Sequence, residues 1–191
     1  MNKPRCAWPM NDELMIDYHD HEWGVPVHDD RKIFEFMVLD AFQAGLSWST
    51  ILKKRDNFRA AFNNFEPEII AKYNQDKINN LLQDAGIIRN KAKVNAAVKN
   101  AKAFLEVQKE FGAFDKYIWQ FVGNQPIINK WKKMAEIPAK TPEAEAMSTD
   151  LKKRGFSFVG PTICYAFMQA AGMVNDHEVG CFRYNEINAL K

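Results

Sequence analysis

One acidic residue and one tryptophan stand where they could form a binding pocket. The stretch "LDAFQAGLSW", residues 39 to 48, contains Asp40 and Trp48. Asp40 follows Ile33 by seven residues and Met37 by three, so on a helix it lies on the apolar face. A carboxylate there is costly unless it is paired or has a function. The pattern allows two interpretations, a core aspartate that makes local hydrogen bonds and an acid that contacts a ligand.

The turn after this helix places an apolar side chain at its tip. In "QAGLSW", Gly45 turns the chain, Leu46 stands at the tip and Trp48 begins the next helix. A leucine exposed on a rigid turn can insert between DNA base steps. A core contact between two helices is the more common use of such a leucine, so the turn alone leaves both uses open.

A second group of residues has the types that bind metal ions. His177 and Cys181 stand four apart, the spacing of one helical turn, in "NDHEVGC", and Cys6 and His19 lie near the other end of the chain. If these four side chains met, they would form a closed Cys2His2 tetrahedron, which is structural because no position remains for water. The spacing matches no ordinary zinc finger, so the pattern leaves the zinc site open.

The N-terminal segment "CAWPMNDELMIDYHDHEWG" carries aromatic surfaces as well as metal-ligand types. It contains Trp8, Tyr18 and Trp23, but its apolar residues do not follow the periodicity that predicts a helix. Contacts with another part of the chain must therefore hold it in place.

Composition limits the class of protein. The chain has 191 residues, 47% of them hydrophobic, which suits a single domain with a real core. The net charge is only +2, so affinity for nucleic acid would need a local basic surface. Three scattered cysteines make no disulfide framework, the first residues are too polar for a signal peptide, and no apolar run reaches the roughly 20 residues of a membrane span. We expect a soluble cytoplasmic protein with no membrane partner.

Apolar residues recur at three-to-four spacing along most of the chain, which predicts an all-α fold without strands and with the termini close together. The predicted helices begin at Asp30, run from about Ser47 to Phe62, follow Pro67, lie in "DKINNLLQDA", carry Val94 to Leu105, begin at Thr141–Pro142, and begin at Gly160–Pro161.

The last two helices form a hairpin. In "LKKRGFSFVGPTICYAFMQAAG", residues 151 to 172, a six-residue loop with a glycine at each end joins them. Backbone amides at the start of the second helix favour an anion such as a DNA phosphate. Lys152, Lys153 and Arg154 stand beside the loop. An ordinary helical hairpin with a solvated basic end fits this segment equally well.

Taken together, these stretches resemble the bacterial 3-methyladenine DNA glycosylases of type I, in the helix-hairpin-helix glycosylase superfamily. The resemblance runs in order through "RCAW", "YHDHEWGVP", "QAGLSW", "LKKR", "DAGIIRNKAK", "FVGPTICYAFMQA" and "VNDHEVGC". It implies one two-lobed all-α domain over residues 1–191, with the helix-hairpin-helix around 142–172. It also implies one structural zinc ion that joins segments 1–25 and 173–191 through Cys6, His19, His177 and Cys181.

The family resemblance further implies an enzyme that hydrolyses the N-glycosidic bond of 3-methyladenine in double-stranded alkylated DNA and so initiates base excision repair. The released base is 3-methyladenine, and we expect a monomer. Asn175 stands where the superfamily usually has a catalytic aspartate, and the hairpin has no nucleophilic lysine. Both features imply a monofunctional glycosylase.

The family motifs assign a role to each matching residue. Asp40 is the implied catalytic and base-reading residue. Trp48, Tyr18 and Trp8 are the implied stacking surfaces. The implied DNA contacts are Gly45, Leu46, Lys153, Phe158, Val159 and Gly160.

Two positions depart from the family pattern. Known members have a glutamate at the position of Asp40 and a further pocket tyrosine at the position of Met15. The shorter carboxylate leaves open whether the helix lies closer to the base, a water bridges the gap, or the substrate preference differs.

Two other functions stay open on the sequence. One is a non-enzymatic DNA-binding module that zinc stabilises, which would not explain an acid on an apolar helix face beside several aromatic residues. The other is a helical protein that binds a purine or a similar small molecule without DNA.

Overall fold

The computed structural model describes residues 3–190; Met1, Asn2 and Lys191, the outermost residues of the two segments predicted to share a zinc ion, lie outside them. The described chain is mostly helical, as predicted. Its α-helices are α1 (Glu13–His21), α2 (Asp30–Gln43), α3 (Trp48–Leu52), α4 (Arg55–Ala61), α5 (Pro67–Ile70), α6 (Gln75–Gln83), α7 (Lys91–Phe111), α8 (Phe114–Ile118), α9 (Pro142–Lys153), α10 (Pro161–Ala170) and α11 (Phe182–Asn188). Short 3-10 helices cover Asn63–Phe65, Trp119–Val122 and Met134–Glu136.

Helix α2 runs through the centre of the molecule. Asp29 caps it by accepting a hydrogen bond from the backbone N–H of Lys32 at 2.8 Å, and α3, α7, α8 and α10 pack around it. Every residue from Ile33 to Phe42 is buried. The predicted position of Asp40 on the buried side of this helix is therefore confirmed.

The N-terminal segment contains a helix that the apolar pattern does not indicate. Helix α1 begins after Asp12, whose side chain accepts hydrogen bonds from the backbone N–H groups of Leu14 and Met15. Only Tyr18 and His19 are buried along α1, which is why no apolar stripe marks it. The absence of apolar periodicity in this segment is confirmed, and α1 forms there without it.

The single helix predicted from about Ser47 to Phe62 is two helices, α3 and α4. The chain turns at Lys53 and Lys54, and Lys54 Nζ donates a hydrogen bond to the backbone oxygen of Ala85 at 2.9 Å. The turn brings Arg55 inward, where it pairs with Glu22 and Glu35. The buried ion pairs therefore decide the break, and apolar spacing does not report them.

Two short strands were not predicted. Strand β1 (Ile127–Ile128) pairs in parallel with β2 (Val174–Asn175), with Ile127 opposite Val174. The strands are two residues long, too short for an alternating pattern to indicate them. They fix the chain before α9 against the segment that holds His177.

No helix among residues 3–190 combines the length and the apolar character that crossing a bilayer requires.

Gly172 is required where α10 ends and the chain turns toward β2. Its φ is +67°, and a Cβ atom there would lie 2.3 Å from the backbone carbon of Val25. Gly172→Ala is expected to lower the free energy of unfolding by about 3 kcal/mol, since it adds a backbone clash to an unfavourable φ. Urea denaturation measures the change. Gly123→Ala is the control, because Gly123 also has a positive φ of +66° but open space around it; an equal loss in both variants would contradict the clash.

Candidate active site

A cavity of about 380 Å³ lies between α1, α2, α3 and α10. This volume is in the range of small-molecule sites. The four residues predicted to contact a base, Asp40, Trp48, Tyr18 and Trp8, all line it. The other lining residues are Met15, Trp23, Gln43, Met134, Ile137, Pro138, Ala139, Thr162, Tyr165, Ala166, Gln169 and Ala170.

Asp40 is a buried acid without a partner. Its residue is 3% exposed, and no hydrogen bond among residues 3–190 reaches its carboxyl group. Burial raises the pKa of Asp40 well above its usual range, and the positive charge of Arg55 opposes this rise. An unpartnered polar atom in a core is rare, so Oδ2 of Asp40 is available to a ligand in the cavity.

Aromatic rings form much of the cavity wall. The ring of Trp48 lies 5.3 Å from that of Tyr18, tilted by 51°. Trp8 meets Trp23 edge to face at 5.2 Å. The indole nitrogens of Trp8 and Trp48 are buried without a hydrogen-bond partner in the described chain. The cavity therefore offers flat aromatic faces and one carboxyl group to the same ligand.

A buried group of ion pairs supports the cavity from behind α2. Arg55 donates to Glu35 at 2.7 Å and to both oxygens of Glu22, at 2.7 and 2.9 Å. Arg59 also donates to Glu35, at 2.8 Å. Because the charge of Arg55 is already paired with two carboxylates, it neutralises Asp40 only in part.

One carboxylate joins the back of the cavity to its outer wall. Asp176 Oδ2 accepts hydrogen bonds from Tyr165 at 2.6 Å and from Gln169 at 2.8 Å, and both donors line the cavity. Its Oδ1 accepts from Asn129 and from Trp131, each at 2.7 Å. Asp176 is 1% exposed and does not itself line the cavity. It therefore fixes two side chains of the cavity wall but does not itself reach the cavity.

Sequence reasoning missed these residues. Tyr165 and Gln169 are four apart on α10, so they share a face of the helix, and that spacing was a usable signal. The outer wall, Met134 to Ala139, is a three-residue 3-10 helix followed by irregular chain, and it gave no periodic signal.

The turn between α2 and α3 holds Leu46 at the surface. Leu46 is 39% exposed, and Gly45 has φ +79° with open space around it. Lys93 Nζ donates to the backbone oxygens of Phe42 and Ala44, at 2.8 and 2.6 Å. The side chain of Gln43 donates to the backbone oxygen of Leu46 at 3.2 Å. These bonds make the turn a fixed projection beside Trp48.

The loop between α9 and α10 presents free backbone amides. The N–H groups of Phe158, Val159 and Gly160 take part in no hydrogen bond among the described residues, and Phe158 has φ +57°. Asn100 holds the loop by donating to Ser157 O at 2.9 Å and accepting from Ser157 N at 2.8 Å.

Of the basic residues beside the loop, Lys152 and Lys153 are exposed. Arg154 instead pairs with Glu110 at 2.6 Å and with Asp150 at 2.9 Å, so it supports the structure.

Three of the four predicted metal ligands lie together. One ligand atom each of Cys6, His19 and Cys181 falls within 4.8 Å of the others, and all three residues are buried. The fourth, His177, is not in this group, but its ring lies 5.0 Å from the ring of His19. Residues 177–181 form a turn rather than a helix, and Cys181 directly precedes α11. The backbone N–H of Phe182 donates to Pro4 O at 2.9 Å, so the predicted proximity of the chain ends is confirmed.

In both histidines, Nδ1 lies within hydrogen-bond distance of a side-chain oxygen. His177 Nδ1 lies 3.0 Å from Asn175 Oδ1, and its Nε2 is buried with no partner in the described chain. His19 Nδ1 lies 2.8 Å from Asp20 Oδ1. Such outer contacts fix the tautomer of a ligating histidine. Burial lowers the pKa of His177 to about 3, which leaves its Nε2 lone pair available.

The two thiols lie close together and influence each other. Interaction with Cys6 lowers the pKa of Cys181, and the same interaction, together with burial, raises the pKa of Cys6. The cysteines form no disulfide. The third cysteine, Cys164, is buried in the core.

Asn175 lies outside the cavity. Its side-chain nitrogen donates to Tyr184 O at 3.1 Å and to Asn188 Oδ1 at 2.8 Å, while its oxygen faces His177. It therefore connects His177 to α11.

Comparisons with known proteins show the family of the chain. The model of the methyladenine glycosylase family matches residues 8–184. DNA-3-methyladenine glycosylase 1 of Escherichia coli (strain K12) is 49% identical over 180 residues, which are 94% of this chain and 96% of that protein.

Solved structures agree as well. A crystal structure of 3-methyladenine DNA glycosylase I has a TM-score of 0.92 and 50% identity, covering 94% of this chain and 98% of that one. A tyrosine-to-phenylalanine variant of a 3-methyladenine DNA glycosylase I, solved in complex with 3-methyladenine, has a TM-score of 0.91 and 33% identity over 93% of this chain and 96% of its own. The chain belongs to the methyladenine glycosylase family.

Proposed function

We propose that this protein is a monofunctional DNA glycosylase that removes 3-methyladenine from alkylated duplex DNA and so begins base excision repair. The observation that carries the proposal is the cavity in which Asp40, with an unpartnered buried oxygen, faces the same space as Trp48 and Tyr18. The family relatives named for this reaction support it.

The cavity suits a cationic purine. The base of a 3-methyladenine nucleotide carries a positive charge while it is attached to the sugar. A cation over an electron-rich ring gains up to about 2 kcal/mol when it is desolvated. The carboxyl group of Asp40 accepts a hydrogen bond from the adenine edge, and the cation lowers its pKa again by direct attraction. Ordinary adenine is neutral, so it gains neither the attraction of a cation to the rings nor the attraction of a positive charge to the carboxylate.

The chemistry needs little acid assistance. The bond between the sugar C1′ and the base nitrogen breaks, and its electron pair neutralises the charge of the departing base. A water oxygen bonds to C1′ and releases a proton. The protein contributes extrusion of the nucleotide, a shaped cavity and exclusion of other water.

The hairpin grips the DNA backbone. The free amides of Phe158, Val159 and Gly160 lie at the start of α10, where the helix dipole also favours a phosphate. Lys153 adds a positive charge nearby. This is the helix-hairpin-helix role in a fold that we propose to consist of two lobes on either side of the cavity.

Leu46 fills the space that the extruded nucleotide leaves in the duplex. It is exposed on a turn that Lys93 and Gln43 hold rigid, with Gly45 allowing the close approach of the strand. Apolar side chains of this kind stabilise a kinked duplex by separating base steps.

One zinc ion joins the chain ends through Cys6, His19, His177 and Cys181. The thiol pair, the unpartnered Nε2 of His177 and the outer contacts of both histidines support this assignment. A Cys2His2 site leaves no position for water, so the ion supplies structure rather than catalysis.

The proposed setting is the bacterial cytoplasm, where three unpaired cysteines are stable in a reducing environment. The protein acts there as a monomer.

The decisive experiment is incubation of the protein with methylated duplex DNA, followed by chromatography of the released bases. Release of 3-methyladenine, with no strand cleavage, is the expected result. Binding of the DNA without release would instead favour a non-enzymatic module. Binding of the free base without affinity for DNA would favour a small-molecule protein.

Trp48→Ala is expected to weaken the binding of free 3-methyladenine by about 10- to 100-fold, because stacking on one aromatic ring is worth about 1–3 kcal/mol per base. Isothermal titration calorimetry measures this change. Trp48→Phe keeps a ring at the position and should retain most of the affinity. Unchanged binding in Trp48→Ala would remove Trp48 as the stacking surface.

A further inference from the structure

We propose that residues 129–140, the rim segment, form a second DNA-binding surface in which Lys130, Lys132 and Lys133 contact the phosphates next to the extruded nucleotide. This inference rests on the proposed glycosylase function. None of the family-derived DNA contacts lies in this segment.

The rim segment borders the mouth of the cavity. Met134, Ile137, Pro138 and Ala139 line the cavity, and Met134 is also 40% exposed. A residue that is both part of the wall and open to solvent marks the edge of the opening. The rim segment therefore lies where a nucleotide enters.

The rim segment is held firmly although it is mostly irregular. Asn129 and Trp131 donate to the buried carboxylate of Asp176, each at 2.7 Å. The backbone N–H of Val179 donates to Trp131 O at 2.9 Å, and Glu136 accepts from the backbone N–H of Lys132 at 2.8 Å. A surface that is already ordered loses little conformational entropy when DNA binds.

The lysines of the rim segment are free to bind an anion. Lys130, Lys132 and Lys133 are exposed, and none forms an ion pair with a carboxylate within residues 3–190. Lys140 differs, since it pairs with Glu145. Three unpaired positive charges thus lie within five residues of Met134 at the mouth.

The covalent structure of DNA brings phosphates to this place. A nucleotide in the cavity stays joined to its strand through the phosphates on both of its sides, so the strand must cross the mouth. The protein has a net charge of only +2, so local lysines must supply the attraction. Contacts with phosphate position the strand and do not read its sequence.

The test compares three variants of the full chain on a short duplex that contains one tetrahydrofuran abasic analogue. One replaces Lys130, Lys132 and Lys133 with alanine, and a second replaces them with arginine. The matched control replaces Lys72, Lys102 and Lys116, exposed lysines that line no part of the cavity, with alanine. The dissociation constant is measured over a range of salt concentrations, together with the affinity for free 3-methyladenine.

The logarithm of the association constant is plotted against the logarithm of the salt concentration. The steepness of this line should decrease by about 0.9 for each phosphate that a variant no longer neutralises, and so by up to about 2.7 in the alanine variant of the rim lysines. The arginine variant should keep the wild-type slope, and all variants should bind the free base normally. An unchanged slope in the alanine variant, or an equal fall in the control, would overturn the inference.

Wild-type release of 3-methyladenine, measured in parallel, separates the two proposals. Release by the wild type with an unchanged slope in the variant overturns the rim surface alone. If the wild type neither binds duplex DNA nor releases the base, the proposed function fails and the rim surface fails with it.

Discussion

Asp40→Asn is expected to lower the rate of 3-methyladenine release by roughly 100-fold, the size of effect seen when one preorganised electrostatic group is removed from an active site. The amide keeps the shape of the side chain but loses the negative charge that attracts the positively charged base. Affinity for duplex DNA should change little, because phosphate contacts lie elsewhere.

The same substitution is expected to raise the free energy of unfolding at neutral pH. Burial raises the pKa of Asp40 in the folded protein, so the folded state binds this proton more tightly than the unfolded state does. Stability contributed by the protonated acid is present below the unfolded pKa of about 3.9 and is lost as the pH rises through the folded pKa. The free energy of unfolding that Asp40→Asn gains over the wild type should therefore vanish at acid pH and grow as the pH rises.

Single-turnover release of base from methylated DNA and urea denaturation at several pH values measure the two effects. Asp56→Asn is the control, because Asp56 is an exposed acid on α4 and should show neither. Full activity of the Asp40→Asn variant would show that the carboxylate does not read the base.

Loss of the metal has the largest expected effect on stability. Purified protein should contain about one zinc ion per chain, and Cys6→Ser should release it. The variant should lose about 4 kcal/mol of stability, equal to a fall of roughly 10 °C in the unfolding temperature. The reason is that the four proposed ligands come from both ends of the chain, so the ion would hold the two ends together.

Elemental analysis and thermal unfolding, with and without a chelator, measure this prediction. Cys164→Ser is the matched control, since Cys164 is a buried thiol outside the cluster that donates to Val159 O at 3.4 Å. Protein that contains no zinc, and whose unfolding temperature a chelator does not change, would exclude the metal site.

Helical periodicity was enough to place the centre of the candidate site. The spacing of Asp40 from Ile33 and Met37 put the acid on the buried face of α2, and the glycine turn put Trp48 at the start of α3. Both predictions use only the local geometry of a helix, which the chain obeys there. The structure places both residues around one cavity.

Contacts between distant residues could not be read in the same way. Asp176 holds Asn129 and Trp131 across more than 40 positions of sequence, and these bonds help to fix the segment that forms the outer wall of the cavity. The break before α4 likewise depends on Arg55 meeting Glu22 and Glu35. Polar pairs of this kind leave no periodic trace along the chain.

Asp176 and His177 are neighbours in the chain, one bonded to groups around the cavity and the other facing the proposed metal site. A change in structure at the chain ends would therefore displace Asp176 and, with it, the side chains of the cavity wall that it holds. If the proposed zinc ion holds the chain ends, zinc limitation is expected to make the protein both shorter-lived and less discriminating between damaged and normal bases.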